Sequence, residues 1–267
     1  MVLIYIEEGI NRTKRVKAQW RYYFFVLNLY LYTLGMSQKP KENFLDWLYK
    51  RQFTIVANEL KRIYDVRQTT IKVLDIGCGN GWYWQSGELK NLILYDMIEL
   101  HILEAAEVRT SLREICTVHR GIAPKDLSKF SDDYFDFTTT FDVLEHFSKS
   151  EGYKLLYEMN RISKEGSSIF TPNGFVWQPP SANNPFNAHL SGWKPKELAK
   201  LGWNRTHSAG GVKLLRGPYG KSLISQNTKI NQALMVLLDT ISIVDHRFGF
   251  AFLAISRKKN PSQTQDL

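Results

Sequence analysis

The chain has 267 residues, 43% hydrophobic, 13% aromatic and 23% charged, enough apolar material for a sizeable core, which excludes a mainly disordered chain. Its 35 Lys and Arg exceed its 26 Asp and Glu by 9, and the excess is local: residues 184–229 carry eight basic residues and one acid, residues 36–183 eighteen and twenty. The two cysteines, Cys78 and Cys116, stand in no metal-ligand spacing, so neither a disulfide scaffold nor a metal site is read, and a cytoplasmic setting is the default expectation.

Residues 1–35 read as an N-terminal extension, with the natural domain starting at Met36. Within it, the aromatic and apolar run Trp20 to Met36 follows Arg12, Lys14, Arg15 and Lys17. The run is shorter than the roughly 20 apolar residues of a spanning helix and contains Arg21 and Asn28. A membrane-surface contact through residues 12–36, peripheral rather than spanning, and an extension with no function of its own both stay open. From there Phe44, Trp47, Leu48, Ile55, Leu60 and Ile63 fall at the spacing of an amphipathic helix.

Short apolar runs then alternate with helical patterns, which predicts an α/β fold with a parallel sheet and crossover helices. The predicted strands are Ile71–Ile76 (IKVLDI), Leu92–Tyr95 (LILY), Ile115–Val118, Phe135–Phe141 (FDFTTTF), Ser167–Thr171 and, last, Gly249–Ser256. Helical spacing recurs over Lys149–Ser163 and over Ile230–Val244. Residues 172–200 begin with a Pro-, Asn- and aromatic-rich stretch too long for a plain connection, and read as a lid or binding segment; residues 259–267 read as a tail.

The informative motif is Val73-Leu74-Asp75-Ile76-Gly77-Cys78-Gly79-Asn80-Gly81. A strand ending in alternate glycines lets the backbone turn sharply and a ligand approach the main chain. Where a dinucleotide-binding loop has its third glycine, this chain has Trp82. With VLDIGCGNG, the fourth-strand segment FDFTTTFDVLEHF, the following EMNRISKEGSSIFTPNG and HLSGWKPKELAKLGW, the chain resembles the class I S-adenosylmethionine-dependent methyltransferases over roughly residues 43–258. The resemblance implies a Rossmann-like, doubly wound, mostly parallel seven-stranded sheet with helices on both faces and a lid-like insertion after the fifth strand. It also implies S-adenosyl-L-methionine as cofactor, held by Asp75, Gly77, Cys78, Gly79, Gly81 and Phe141. Asp96, closing LILYD, takes the place of the acid that meets the ribose hydroxyls, with Glu99 as fallback. Adenine is expected against backbone groups near Ile122 and Ala123, because Ile122 stands where an acid is common and Asp126 is the nearest carboxylate.

For the acceptor, a histidine near neutral pKa can remove a hydroxyl proton. His189, in the lid segment, ranks first as that base. His146 ranks second, since a helix-start residue bonded to backbone is its simpler reading. Asn173 can orient the acceptor or merely make a turn. Lys194, Lys196, Lys200, Arg205, Lys213, Arg216 and Lys221 form either a solvated face or an attraction for an anionic acceptor. The expected partner is therefore a small-molecule or lipid-like, anionic acceptor. RNA is the alternative, and a non-catalytic scaffold of the same fold is the other.

Overall fold

The computed structural model describes residues 44–79, 81–85, 87–104, 110–180, 185–213, 234, 242 and 248–258. The expectations for residues 1–35 and 259–267, for Arg216, Lys221 and Lys229, and for Ile230–Val244 apart from Leu234 and Ser242 lie outside the described residues. Seven strands, β1 (Ile71–Ile76), β2 (Ile98–Glu104), β3 (Thr117–Arg120), β4 (Phe135–Phe141), β5 (Ser163–Pro172), β6 (Arg205–Val212) and β7 (Gly249–Arg257), form one sheet in the order β3-β2-β1-β4-β5-β7-β6. Neighbours from β3 to β5 run parallel, and β7 lies antiparallel to both β5 and β6. The main helices are α1 (Phe44–Arg67), α2 (Gly87–Leu94), α3 (Lys149–Ile162) and α4 (Pro195–Lys200).

The alternation of β1 explains the double winding. Ile71 and Val73 pack with Val56, Leu60 and Ile63 of α1 and Leu89 of α2, whereas Leu74 and Ile76 pack with Leu155, Leu156 and Met159 of α3 and Leu198 of α4. Both faces of the central strands are thus apolar, as a parallel sheet covered by crossovers requires. Helix α3 starts where Ser148 caps it: the serine hydroxyl accepts from the Glu151 backbone N–H while the Glu151 carboxylate accepts from the Ser148 N–H. No helix among the described residues is long and apolar enough to cross a membrane.

Three expectations for individual elements need correction. The run LILY is the end of α2 and the turn after it, not the second strand; Leu89 and Leu92, three apart, are buried, while the adjacent Leu94 and Tyr95 are 62% and 70% exposed, which a strand covered on both faces would not allow. The second strand is instead IELHILE, ending in Glu104. The third strand lies two residues later than expected, at the sheet edge, where partial exposure removes the demand for a long apolar run. Strand β6, RTHSAGGV, was not anticipated: its glycines and polar residues mask the period-2 signal, and pairing with the strongly apolar β7 specifies it.

Candidate functional site

In open α/β sheets ligands bind beyond the carboxyl ends of the strands where the strand order reverses, here between β1 and β4. The glycine turn leaves β1 at that point, with φ of +70° at Gly77 and +55° at Gly79. Gly77 donates its N–H to the Leu103 carbonyl (2.9 Å), and a Cβ there would come within 2.9 Å of the Val143 side chain on the turn after β4. At Gly79 a Cβ would meet no atom of the described residues within 4 Å. Gly79 borders a cavity of about 270 Å³ lined also by Gly77, Glu104, Gly121, Ile122 and Ala123. Its lining further includes Asp142, Val143, His146, Phe147 and, from the lid segment, Phe186 and Asn187.

Of the residues expected at a cofactor, Gly77, Gly79, Ile122 and Ala123 line this cavity, and Asp75, Cys78, Gly81, Phe141 and Asp96 do not. Asp96 follows α2 at the amino-terminal edge of the sheet, where its carbonyl accepts from Thr70 Oγ1 (2.8 Å), so it stands at the wrong end of the strands for a ligand; Glu99, in the first half of β2, does too. The carboxylate at the carboxyl end of β2 is Glu104, which accepts the Gly79 N–H (3.1 Å) and so ties the second strand to the glycine turn. Phe141 packs against the stacked pair of Phe53 and Tyr83, with ring centroids 5.1 and 4.7 Å away. Gly81 is required for packing, since a Cβ would lie 2.2 Å from the Leu112 side chain. Cys78 is buried behind the turn, and that burial pushes its thiol pKa up. The Ile122 N–H is taken by Asp126 Oδ2 (2.7 Å), whose other oxygen pairs with Lys129. Asp126 therefore braces this turn, and Ile122 offers the cavity its side chain, 52% exposed, rather than its N–H.

Asp75 lies fully buried beneath the turn. One carboxylate oxygen accepts from Tyr83 Oη (2.5 Å) and Trp84 Nε1 (2.7 Å), and the other has no partner among the described residues. Burial raises its pKa to about 7, against the lowering effect of those two donors and with a further rise from Glu104. An acid whose folded pKa exceeds its unfolded value of 3.8 binds its proton more tightly in the native state, so its contribution to stability falls as pH rises between those values. At 1.36 kcal/mol per pKa unit, Asp75→Asn should gain on the wild type by up to roughly 4 kcal/mol between about pH 4 and pH 7, with no further gain above. Thermal melts of both proteins across that range check this, and parallel Tm curves would refute it.

The acceptor-side histidines come together. His146 ends a 3₁₀ turn (Leu144–His146) after β4, and its ring centroid lies 4.8 Å from that of His189, with the rings at 65°. His146 Nδ1 is 3.0 Å from the Ala188 carbonyl and His189 Nδ1 is 2.7 Å from the Val176 carbonyl. Since a carbonyl only accepts, Nδ1 carries the hydrogen in both rings and each Nε2 keeps its lone pair. Desolvation lowers both pKa values, so the pair is neutral at pH 7. Beside them Glu145 is buried, its carboxylate accepting from Thr171 Oγ1 (2.9 Å), and desolvation with the nearby Asp142 raises its pKa well above the carboxylate range. Desolvation likewise raises Asp142, although solvent still reaches its side chain and tempers that rise. Sequence reasoning missed Glu104, Asp142 and Glu145; only the end of the IELHILE run carried a readable signal, for Glu104.

Asn173 donates its side-chain amide to the Gly249 carbonyl (2.9 Å), which fastens β5 to β7. The described basic residues line no part of the cavity and do not form one face. Arg205 pairs with Glu59 at the start of β6, opposite the carboxyl edge, whereas Lys213 follows β6 at the carboxyl edge with its ammonium on the Asn173 carbonyl (2.6 Å).

Residues 74–171 match the family model of a methyltransferase domain. No curated protein matches the chain by sequence. Similar solved structures include an S-adenosylmethionine-dependent methyltransferase from Archaeoglobus fulgidus, 18% identical, covering 77% of this chain and 94% of that one, with a TM-score of 0.44. A candidate sarcosine dimethylglycine methyltransferase from Galdieria sulphuraria is 17% identical, covering 86% and 97%, with a TM-score of 0.47. Phosphoethanolamine N-methyltransferase 2 of Haemonchus contortus, in complex with S-adenosyl-L-methionine, is 12% identical, covering 72% of this chain and 49% of that one, with a TM-score of 0.42.

Proposed function

We propose that the protein is an S-adenosylmethionine-dependent methyltransferase, since residues 74–171 match the methyltransferase-domain family model, and that it methylates a small-molecule or lipid-like acceptor that enters beneath the 172–200 segment. The observation that carries this reading is the shared cavity, which the glycines and Glu104 line together with His146 and lid residues. When bound, the cofactor supplies an electrophilic methyl group on a cationic sulfonium. The space at Gly79 suits close approach to the backbone, and Glu104 is placed to accept from a ribose diol. Glu104, which borders the cavity beside the glycine turn, gives a negative potential that favours a cationic ligand. Ile122 and Ala123 offer apolar contact to a base. Phe147 and Phe186 give the cavity apolar lining, and His146, which lines it, can with the adjacent His189 take a proton from an acceptor hydroxyl.

Two variants and a transfer assay test this reading. Hydrogen bonds to a charged group contribute about 1.5–3 kcal/mol, so Glu104→Ala should weaken cofactor binding by about tenfold or more in calorimetry, while Asp96→Ala leaves it unchanged. The converse pattern, or no binding by the wild type, would overturn the site. Tritium transfer from labelled cofactor is expected to a phosphorylated sugar or a quinone-like lipid, and transfer to bulk RNA alone would overturn the acceptor class.

A further inference from the structure

Glu145, His146 and His189 converge more closely than hydrogen bonding among themselves requires, and none of the three bonds to another. One ligand-type atom of each lies within 4.8 Å of the others. Both imidazoles are held from behind by carbonyls on Nδ1, the arrangement that orients a metal-binding histidine and leaves Nε2 as the donor. The Asp142 carbonyl also lies against the His146 ring. The Glu145 carboxylate is only 2% exposed, is steadied by Thr171, and has no Lys or Arg partner among the described residues. A buried carboxylate lacking a cation is costly, more so beside a second carboxylate such as Asp142. The segment carrying His189 is also tied to the same residue: the N–H groups of Leu190 and Ser191 donate to the Glu145 carbonyl at 2.8 and 3.1 Å. The three groups therefore form one mechanical unit even though they come from two distant parts of the chain.

We propose that Glu145, His146 and His189 bind one divalent transition cation of the Zn²⁺ or Co²⁺ type. Two imidazoles and one carboxylate suit such a cation better than Mg²⁺ or Ca²⁺, which prefer all-oxygen sites. Ligand bonds of about 2.0–2.2 Å need donor atoms roughly 3–4 Å apart, so the widest separation in the cluster has to close by about 1–2 Å. Three protein ligands leave a coordination position open, and His146 faces the cavity, so a cation here acts as a Lewis acid on an acceptor oxygen. That catalytic use rests on the proposed methyl transfer; the binding itself rests on the side chains alone.

The test uses the full chain without a polyhistidine tag, stripped by chelator and titrated with Co²⁺ by visible absorption, then with Zn²⁺ by competition. One Co²⁺ per chain, displaced by Zn²⁺, is expected. Glu145→Gln and His189→Gln should each weaken it by about tenfold or more. His119→Gln should leave it unchanged, although His119 forms the other close histidine pair of the described residues, 3.0 Å from His101. Absence of binding by the wild type, persistence in both site variants, or loss in His119→Gln would overturn the site. Cofactor binding measured in parallel separates the two readings: intact cofactor binding without cation binding overturns the cation site alone, whereas loss of cofactor binding by the wild type overturns the methyltransferase reading.

Discussion

Gly79→Arg should abolish S-adenosylmethionine binding while leaving the protein folded. A Cβ at Gly79, which borders the cavity, meets none of the described residues within 4 Å, so the added side chain has open space there. Only the backbone resists, since φ of +55° is a left-handed conformation that a non-glycine residue occupies at a cost of about 1 kcal/mol or somewhat more. The guanidinium would also reach the Glu104 and Asp142 carboxylates that border the same cavity, replacing the positive charge of the ligand with its own. The expected loss of affinity is at least about 100-fold, roughly 3 kcal/mol, read by calorimetry. Gly79→Ala, which carries the backbone strain without the bulk, separates the two effects and should fall between. Unchanged affinity in Gly79→Arg would remove the glycine turn from the site.

Trp193→Ala should be the most destabilising single change at the lid. Trp193 is fully buried, donates its indole N–H to Ser191 Oγ (2.8 Å) and lies under the Lys149 ammonium, 3.5 Å from its ring centre. It fits against Gly152 of α3, where a Cβ would come within 2.4 Å of the ring. Its carbonyl accepts the Gly174 N–H (2.6 Å), so one residue closes the lid segment on itself and fastens it to α3. Truncating a buried Trp costs roughly 3–5 kcal/mol, and at about 2–4 °C per kcal/mol for a domain of this size Tm should fall by roughly 6–20 °C. Methyl transfer should suffer more than cofactor affinity, because the proposed acceptor enters beneath the lid segment. A Tm within about 2 °C of the wild type would show that the lid is anchored elsewhere.

How much of the site could be read in advance varied with how local each cause is. Gly77 and Gly79 were legible because the turn geometry depends on residues adjacent in sequence. The acid at the end of the second strand was misplaced as Asp96 because a four-residue apolar run, LILY, fits the end of a helix as well as a buried strand. The neighbouring run IELHILE is longer, and giving weight to length would have led to Glu104. Asp75 and Phe141 belong to a motif that the sequence displays, yet their side chains serve the packing beneath the turn. Which side of the backbone a motif residue faces depends on what packs against it.

By itself, the sequence determined an α/β fold with a parallel sheet and crossover helices, since short continuous apolar runs alternate along the chain with runs of period 3.6 and each can bury its apolar surface only against the other. It also determined the glycine turn, because φ and close approach restrict the residue type locally. Tertiary structure alone decided that Glu104 stands over Gly79, that Arg205 and Lys213 lie at opposite edges of the sheet, and that His189 meets Glu145 and His146. Those placements depend on strand register and on the docking of a long loop. Both are set by contacts between residues far apart in the chain, which leave no periodic mark in the residues that they bring together.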